Sequence, residues 1–268
     1  MLDHQELVAN LTAECEELDE LVAGLDEKDW ARPTPAEGWT VAHQVAHVSF
    51  VFRLAGTAVT DATTFQHMAA QAGADFEAAV NAALADYLPN KPEVVLARWR
   101  KERQVAIDGL AGLAGDTIVP WLVRPLPARV LACAGLMELF AHGQDIADGL
   151  GVRRERTDRI GPVAWFATQT WDFGYQARGE TPPDTVFRYE LTAPSGASWR
   201  FGPSDAPQRI TGSAEDFCLL ATRRRHRDDV DVRAEGSDAE HWLEVAQAYR
   251  GPAGPGRRPG QFAALARG

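Results

Sequence analysis

The sequence predicts an α+β protein in two parts: a helical bundle over residues 1–152, then a smaller α+β domain over 153–250 that opens with a bridging helix. A Gly/Pro-rich tail, 251–268, closes the chain. Three observations lead there. Apolar residues recur with the helical period through the first 150 positions. Beyond residue 180 they alternate with a period of two, the strand pattern. The segments between are punctuated by clustered proline and glycine.

Each element follows from its own residues. Leu7, Leu11, Leu18, Val22 and Leu25 recur at steps of three, four and seven behind an Asp3/Glu6 capping box, which predicts a helix over about 3–25. The stretch ARPTPAEGW, with two prolines and a glycine, breaks it. A second helix starts near Thr40 with Val41, Val45, Val48 and Phe52 on one side. A third is expected over 61–87, with Phe65, Met68, Phe76 and Val80 inward, and a fourth runs from Pro92 to about 114. Pro92 suits a first helical turn, where its missing N–H costs nothing. After a loop with three prolines, ARVLACAGLMELFAHGQDIADGLG reads as one helix apolar nearly all round, which belongs in an interior. These helices make an up-and-down four-helix bundle.

The pattern then changes. One more helix is expected over 158–177, followed by TVFRYELTA and ASWRFGP, two alternating runs split by Pro194, Ser195 and Gly196 as in a hairpin. A strand at QRITG, a helix from Ala214 to about Arg223, a strand at DDVDVRAEG and a helix from Ser237 to about Tyr249 complete the second domain. In the tail, Phe262 and Leu265 are candidates to dock.

Composition narrows the function. A net charge of −11 argues against binding a phosphate backbone, which needs a basic face. The acidic, periodic N-terminus lacks a signal peptide's basic and continuous apolar regions, and no run reaches the ~18 apolar residues of a membrane span. The expected setting is the cytoplasm, with neither nucleic acid nor membrane as partner. Three widely spaced cysteines without a CxxC pair point away from disulfides and cysteine zinc sites. Monomer and homodimer both stay open.

The candidate chemistry lies on two helices. Glu138 and His142 are four residues apart on the long apolar helix, and His47 lies on the inward face of the second. Two imidazoles and a carboxylate can hold a divalent ion in a bundle core and leave one coordination position open, the pattern of a catalytic zinc. The plainer readings are a chance i,i+4 pair and a hydrogen-bonded core histidine. Against them, an ionised Glu138 among Leu136, Met137, Leu139 and Phe140 is costly unless paired. His43, one turn before His47, is open to three roles: solvent-facing residue, hydrogen-bonding group behind the ligands, or fourth ligand. Asp145 could accept from a ligand imidazole or simply be solvated, and Gln144 beside it belongs with the groups behind the ligands. Trp39, Phe50, Trp121 and Phe140 are candidates for a substrate pocket or for ordinary core. Arg98, Arg100 or Arg124 near the open face would suit an anionic substrate. The cluster RRRHR at 223–227 reads first as a helix C-terminal cap. The chain has no GxSxG elbow, P-loop or GxGxxG after a strand.

GWTVAHQVAHVSF at 38–50 together with MELFAHGQDIADGLG at 137–151 resembles the metal-binding four-helix bundle of the DinB-like superfamily, and within it the mycothiol-dependent maleylpyruvate isomerase family of actinobacteria. ELTAPSGASWRFGP, ITGSAEDFCLLATRRRH and DVRAEGSDAEHWLEVAQA resemble the sterol-carrier-like α+β domain that follows the bundle in these proteins. The resemblance implies a divalent metal, usually zinc, at His47, Glu138 and His142, and mycothiol as co-substrate. It differs at His43, commonly aspartate in the isomerase branch, and at Gly143, Gln144 and Asp145, which replace that branch's pattern; these positions place the chain nearer a sister branch of metal-binding proteins. The implied activity is attack of a metal-activated thiolate on a small electrophile, giving isomerisation or thiol transfer. The alternatives are a thiol-independent Lewis-acid cyclase, isomerase or lyase of natural-product biosynthesis, and a non-catalytic metal-stabilised ligand-binding module.

Overall fold

In the computed structural model, which describes residues 3–72, 76–122 and 124–263, the chain divides into two compact units, Met1–Val152 and Arg153–Gly268. The first unit is helical. It contains α1 (His4–Ala23), a single turn α2 (Glu27–Trp30), α3 (Val41–Thr60), α4 (Ala62–Ala72), α5 (Phe76–Leu84), α6 (Pro92–Ala111) and α7 (Ala128–Leu150). The Asp3 carboxylate accepts from the Glu6 N–H and caps α1, and Gly151 in the left-handed region closes α7.

Four long helices make the bundle: α1 and α3 each pack against both α6 and α7. Its core is made of Leu7, Leu11, Leu18 and Val22 of α1, Val45, Val48 and Phe52 of α3, Val95, Trp99 and Leu110 of α6, and Leu131, Leu136 and Phe140 of α7, all buried. Burying one such side chain contributes about 1.5–3 kcal/mol. The Phe52 and Trp99 rings meet edge to face at 5.1 Å. Gly56 lets α3 and α6 approach closely, since a Cβ there would stand 3.2 Å from the Ala106 backbone nitrogen.

Two expectations for this unit change. The single helix over 61–87 is two helices, α4 and α5; residues 73–75 and the Phe76 side chain lie outside the described residues. The loop before α7 also holds a two-residue antiparallel ladder, β1 (Ile118–Val119) with β2 (Leu126–Pro127). Prolines 120, 125 and 127 keep this loop from helix and leave its backbone free to pair. The ladder delivers the chain to α7, whose first N–H groups, those of Ala128 and Arg129, bond to the carbonyls of Thr117 and Gly115.

The second unit starts with α8 (Gly161–Gln169) and the short α9 (Phe173–Gln176) where one helix over 158–177 was expected. The break falls at Thr170–Asp172, where the Thr170 hydroxyl reaches the carbonyls of Phe166 and Ala248, and the chain beyond it packs closely. A Cβ on Gly174 would stand 1.9 Å from the Val245 carbonyl oxygen, so the backbone itself must meet the end of the last helix. A four-stranded sheet follows, in the order β4 (Ser198–Phe201), β3 (Phe187–Thr192), β5 (Gln208–Ser213), β6 (Val232–Glu235). β3 pairs antiparallel with β4 through the Pro194–Gly196 turn and parallel with β5, and β5 pairs antiparallel with β6. The expected alternation is present in β3, where Phe187, Tyr189 and Leu191 are buried. They join Phe217 of α10 (Ala214–Ala221) and Trp242 of α11 (Ser237–Val245) in an aromatic core. α11 stops at Val245 rather than near Tyr249, because the following residues leave the helix and the Ala248 N–H bonds to the Ala221 carbonyl. In the tail Phe262 is buried under the Arg225 guanidinium at 3.9 Å, whereas Leu265 lies outside the described residues. Among the described residues no helix is long and apolar enough to cross a membrane.

The Gly174 contact is testable. Gly174→Ala should destabilise the protein by about 2–3 kcal/mol, the cost of overpacking a site where backbone rather than a side chain must move. Urea unfolding checks it; an unchanged midpoint would show that the two segments are free to separate.

Candidate metal centre

α3 and α7 pack against one another, and on their facing sides stand His47, Glu138 and His142. One ligand atom from each lies within 4.8 Å of the other two. His142 Nε2 is 3.2 Å and His47 Nε2 3.7 Å from the same Glu138 oxygen. Glu138 and His142 share a face because they are one turn apart, and the apolar neighbours of Glu138 turn that face inward. The Glu138 side chain keeps 21% of its surface exposed, so the cluster can be reached from solvent. Partial burial pushes its carboxyl up, but the adjacent His142 and His47 imidazoles outweigh this and hold it well below the ordinary carboxylate range.

The indole of Trp39 forms a wall beside the cluster, 5.3 Å from the His47 ring and stacked 6.1 Å from His142, and the two imidazoles are 4.4 Å apart. Behind His142 stands Gln44, fully buried, whose Oε1 lies 2.6 Å from His142 Nδ1. Its amide nitrogen reaches the Thr34 hydroxyl at 2.9 Å and Asp145 Oδ2 at 3.5 Å. His47 differs: its Nδ1 is buried with no hydrogen-bond partner among the described residues, and ring packing sets its orientation.

The donor set fits a divalent ion. Ligand atoms 2.0–2.1 Å from a tetrahedral zinc are about 3.3 Å apart, and the distances of 3.2 and 3.7 Å straddle that value. Two neutral imidazoles and one carboxylate supply three lone pairs and one negative charge, which a cation would join.

The remaining sequence candidates fall in different places. His43 is the N3 residue of a capping box on α3, its Nδ1 accepting from the Thr40 N–H and lying 2.8 Å from the Thr40 hydroxyl. Burial lowers its pKa and favours the neutral ring that this cap requires. Gln144 donates to Asp148 one turn on, and Asp145 is fully buried beside Gln44. Of the four aromatic candidates, Trp39 stands at the cluster. Phe50 and Phe140 are buried, and Trp121 stacks on Phe65 at 5.7 Å. Arg98 lies over the Tyr87 ring, Arg100 makes a two-point bond to Asp19, and Arg124 is exposed. In the 223–227 cluster Arg224 donates to the Thr222 carbonyl and Arg223 to that of Gly254, bonds that tie down a helix end and the following chain. His4 bonds through Nε2 to the Leu110 carbonyl at the end of α6.

Gln44 and Thr34 carry no motif and were not singled out in the sequence. The available signal was a glutamine three residues before His47 inside the apolar run AHQVAHV, where an uncharged amide must find partners.

Fold and site together define a class: a helical-bundle protein with an inward His-Glu-His cluster able to hold a metal, followed by a sheet unit. Residues 11–147 match the family described as mycothiol maleylpyruvate isomerase N-terminal domain. The chain belongs to this family. A shorter stretch, 183–235, matches a family described as wyosine base formation, a different description from the sterol-carrier-like one expected for that domain. Two Mycobacterium tuberculosis proteins, from two strains and both termed uncharacterized, are 44% identical to this chain over 257 residues, covering 96% of it and 100% of each relative. The chain therefore has actinobacterial homologues. Among solved structures, the mycothiol-dependent maleylpyruvate isomerase superposes with a TM-score of 0.59 at 16% identity, over 88% of this chain and 96% of the isomerase. A histidine-to-alanine mutant of that enzyme gives 0.59 at 15% over the same shares. The likeness is one of fold.

Cys15, Cys133 and Cys218 are free and buried, and burial raises all three thiols, Cys133 to about 12. At pH 8 the thiolate fraction of such a group is roughly one in ten thousand. No cysteine should therefore react with a disulfide reagent in the folded protein, and all three should react on unfolding. A rapidly reacting thiol in the native state would show that one of them is accessible.

Proposed function

We propose that this protein is a divalent-metal enzyme of the mycothiol-dependent isomerase and transferase type, with zinc as the metal and a small electrophile as substrate. The observation that carries the proposal is the convergence of His47 Nε2, Glu138 Oε2 and His142 Nε2 in one inward-facing cluster. Membership of the mycothiol maleylpyruvate isomerase family supports it from a separate direction.

In this reading His47, Glu138 and His142 are the ligands. A bound zinc ion would lower the pKa of a thiol in its open position and supply the nucleophile as thiolate. Glu138 offsets part of the ion's charge. His142, backed by Gln44, and His47, held between rings, fix the direction of the imidazole lone pairs. Trp39 shields one side of the site from water and offers an apolar face to substrate. The thiol adds to an activated double bond; release of the adduct is transfer, and elimination after rotation returns the thiol and gives an isomer. His43 supports an open site, because its Nδ1 is engaged in the α3 cap, which leaves the three-residue set of a catalytic ion rather than the closed four-residue set of a structural one. Three buried free thiols suit a reducing compartment and therefore the cytoplasm.

The test is native mass spectrometry with elemental analysis. The purified protein should carry about one divalent ion per chain and take up mycothiol only while the ion is present. His47→Ala and Glu138→Ala should lose the ion while still folding, and Glu138→Gln should bind it more weakly. Full metal content in the folded alanine variants would refute the ligand assignment. Turnover in a preparation free of any thiol would transfer the chemistry to Lewis-acid activation of a carbonyl.

A further inference from the structure

We propose that Gln44 is a positioning residue that locks His142 in the tautomer carrying its proton on Nδ1, so that the Nε2 lone pair faces Glu138 and His47. The inference rests on the metal-centre reading for its purpose, though not for its geometry. The orientation of a glutamine amide must be assigned from its partners, and here the partners decide it. The Thr34 hydroxyl donates to the Trp39 carbonyl at 2.9 Å, so its proton is committed and it can only accept from Gln44. Asp145, a carboxylate, is likewise an acceptor, 3.5 Å from the same amide nitrogen. The NH₂ group of Gln44 must face these two oxygens, which leaves Oε1 toward His142 Nδ1 at 2.6 Å. An amide oxygen only accepts, so His142 Nδ1 must donate.

The consequence lies on the other side of the ring. His142 Nε2 is 3.2 Å from a Glu138 carboxylate oxygen. Left to itself, a neutral imidazole beside a carboxylate would take the opposite tautomer and donate from Nε2 to that oxygen. Such a bond would satisfy both groups and occupy the two lone pairs that a metal needs. In the neutral ring, with the proton held at Nδ1, Nε2 and the carboxylate oxygen instead confront one another as two acceptors, an arrangement relieved by a cation between them or by a second proton on Nε2. Gln44 thus removes the internal hydrogen bond that would compete with metal. It also joins the ligand to the aromatic wall, since the Thr34 N–H and hydroxyl both bond to the Trp39 carbonyl.

The tautomer can be read directly in metal-free, ¹⁵N-histidine-labelled protein by long-range ¹H–¹⁵N correlation, at a pH on the alkaline plateau that the same spectra show for His142. Wild type should show His142 protonated at Nδ1. Gln44→Met, nearly equal in volume but without an acceptor, should shift the proton to Nε2 and weaken zinc in a chelator competition by about 10–100-fold. Gln44→Glu keeps an acceptor toward Nδ1 but sets its second oxygen against those of Thr34 and Asp145, and should retain the Nδ1 proton with a lower unfolding midpoint. An Nε2 proton in wild type overturns the proposal whether or not either variant folds. A folded Gln44→Met that keeps both the Nδ1 proton and wild-type affinity overturns it as well. If wild type binds no metal while the tautomer still responds as expected, the metal reading fails and the positioning role of Gln44 stands.

Discussion

A carboxylate on the inward face of an apolar helix must be answered by charge or by hydrogen bonds, and in this protein the answer comes from a different helix. Glu138 follows Leu136 and Met137 and precedes Leu139 and Phe140, all four buried. His142 is its neighbour along α7, but His47 reaches it only because α3 packs against α7. The rest of the first unit serves that approach. α1 contacts α6 and α7, and α6 contacts α1 and α3, so the four helices close around one core. Gly56 lets α6 approach the α3 backbone. The short β1–β2 ladder sets where α7 begins, and with it the register that brings residues 138 and 142 level with 47.

The same constraint explains why the loop before α3 belongs to the site. Thr34 and Trp39 bracket a turn in which both donors of Thr34 bond to the Trp39 carbonyl. Thr34 also receives the Gln44 amide, so the loop, α3 and His142 form one connected polar system inside the bundle. Buried polar groups cost about 1–3 kcal/mol each when left unpaired, and this network pairs nearly all of its members. The exception is His47 Nδ1, buried without a partner. The facing acceptors of His142 and Glu138 lie at the one place where a bound ion would repay them, as local rules tend to be broken where function requires it.

Much of this was legible in the sequence for a simple reason: it depends on periodicity and on the cost of burying charge. The caps at Asp3 and Gly151, the change of period near residue 180, the hairpin at Pro194–Gly196 and the three cluster residues all follow from local pattern. The misses share a cause too. The helix expected over 158–177 breaks at Thr170–Asp172, ahead of the Gly174 contact with Val245, and α11 ends early so that Ala248 bonds to Ala221. No residue inside either segment announces a partner seventy or twenty-five positions away. His43 was ambiguous because a histidine one turn before another histidine looks the same whether it caps the helix, meets solvent or binds a metal. Gln44 was invisible for the opposite reason, since glutamine has no motif and gains its role only from Thr34, Asp145 and His142, which the fold brings to it.

The division of labour between the two units follows from where the separate lines of support fall. The family match spans 11–147 and contains His47, Glu138 and His142, so family membership and cluster geometry bear on the same segment. The solved isomerase shares the architecture across both units at 16% identity, which preserves a fold while replacing most side chains. Under such divergence a ligand set survives more easily than a substrate pocket, because three donor atoms on two packed helices are fixed by backbone geometry alone. A pocket depends on every side chain that lines it. The chain's own thiols are buried and held as thiols, so the nucleophile of any thiol chemistry at this site must be brought in by a small molecule. In the proposed reading the bundle supplies the reactive centre, and thiol and substrate are chosen by residues outside the cluster, beginning with the Trp39 face that adjoins both imidazoles.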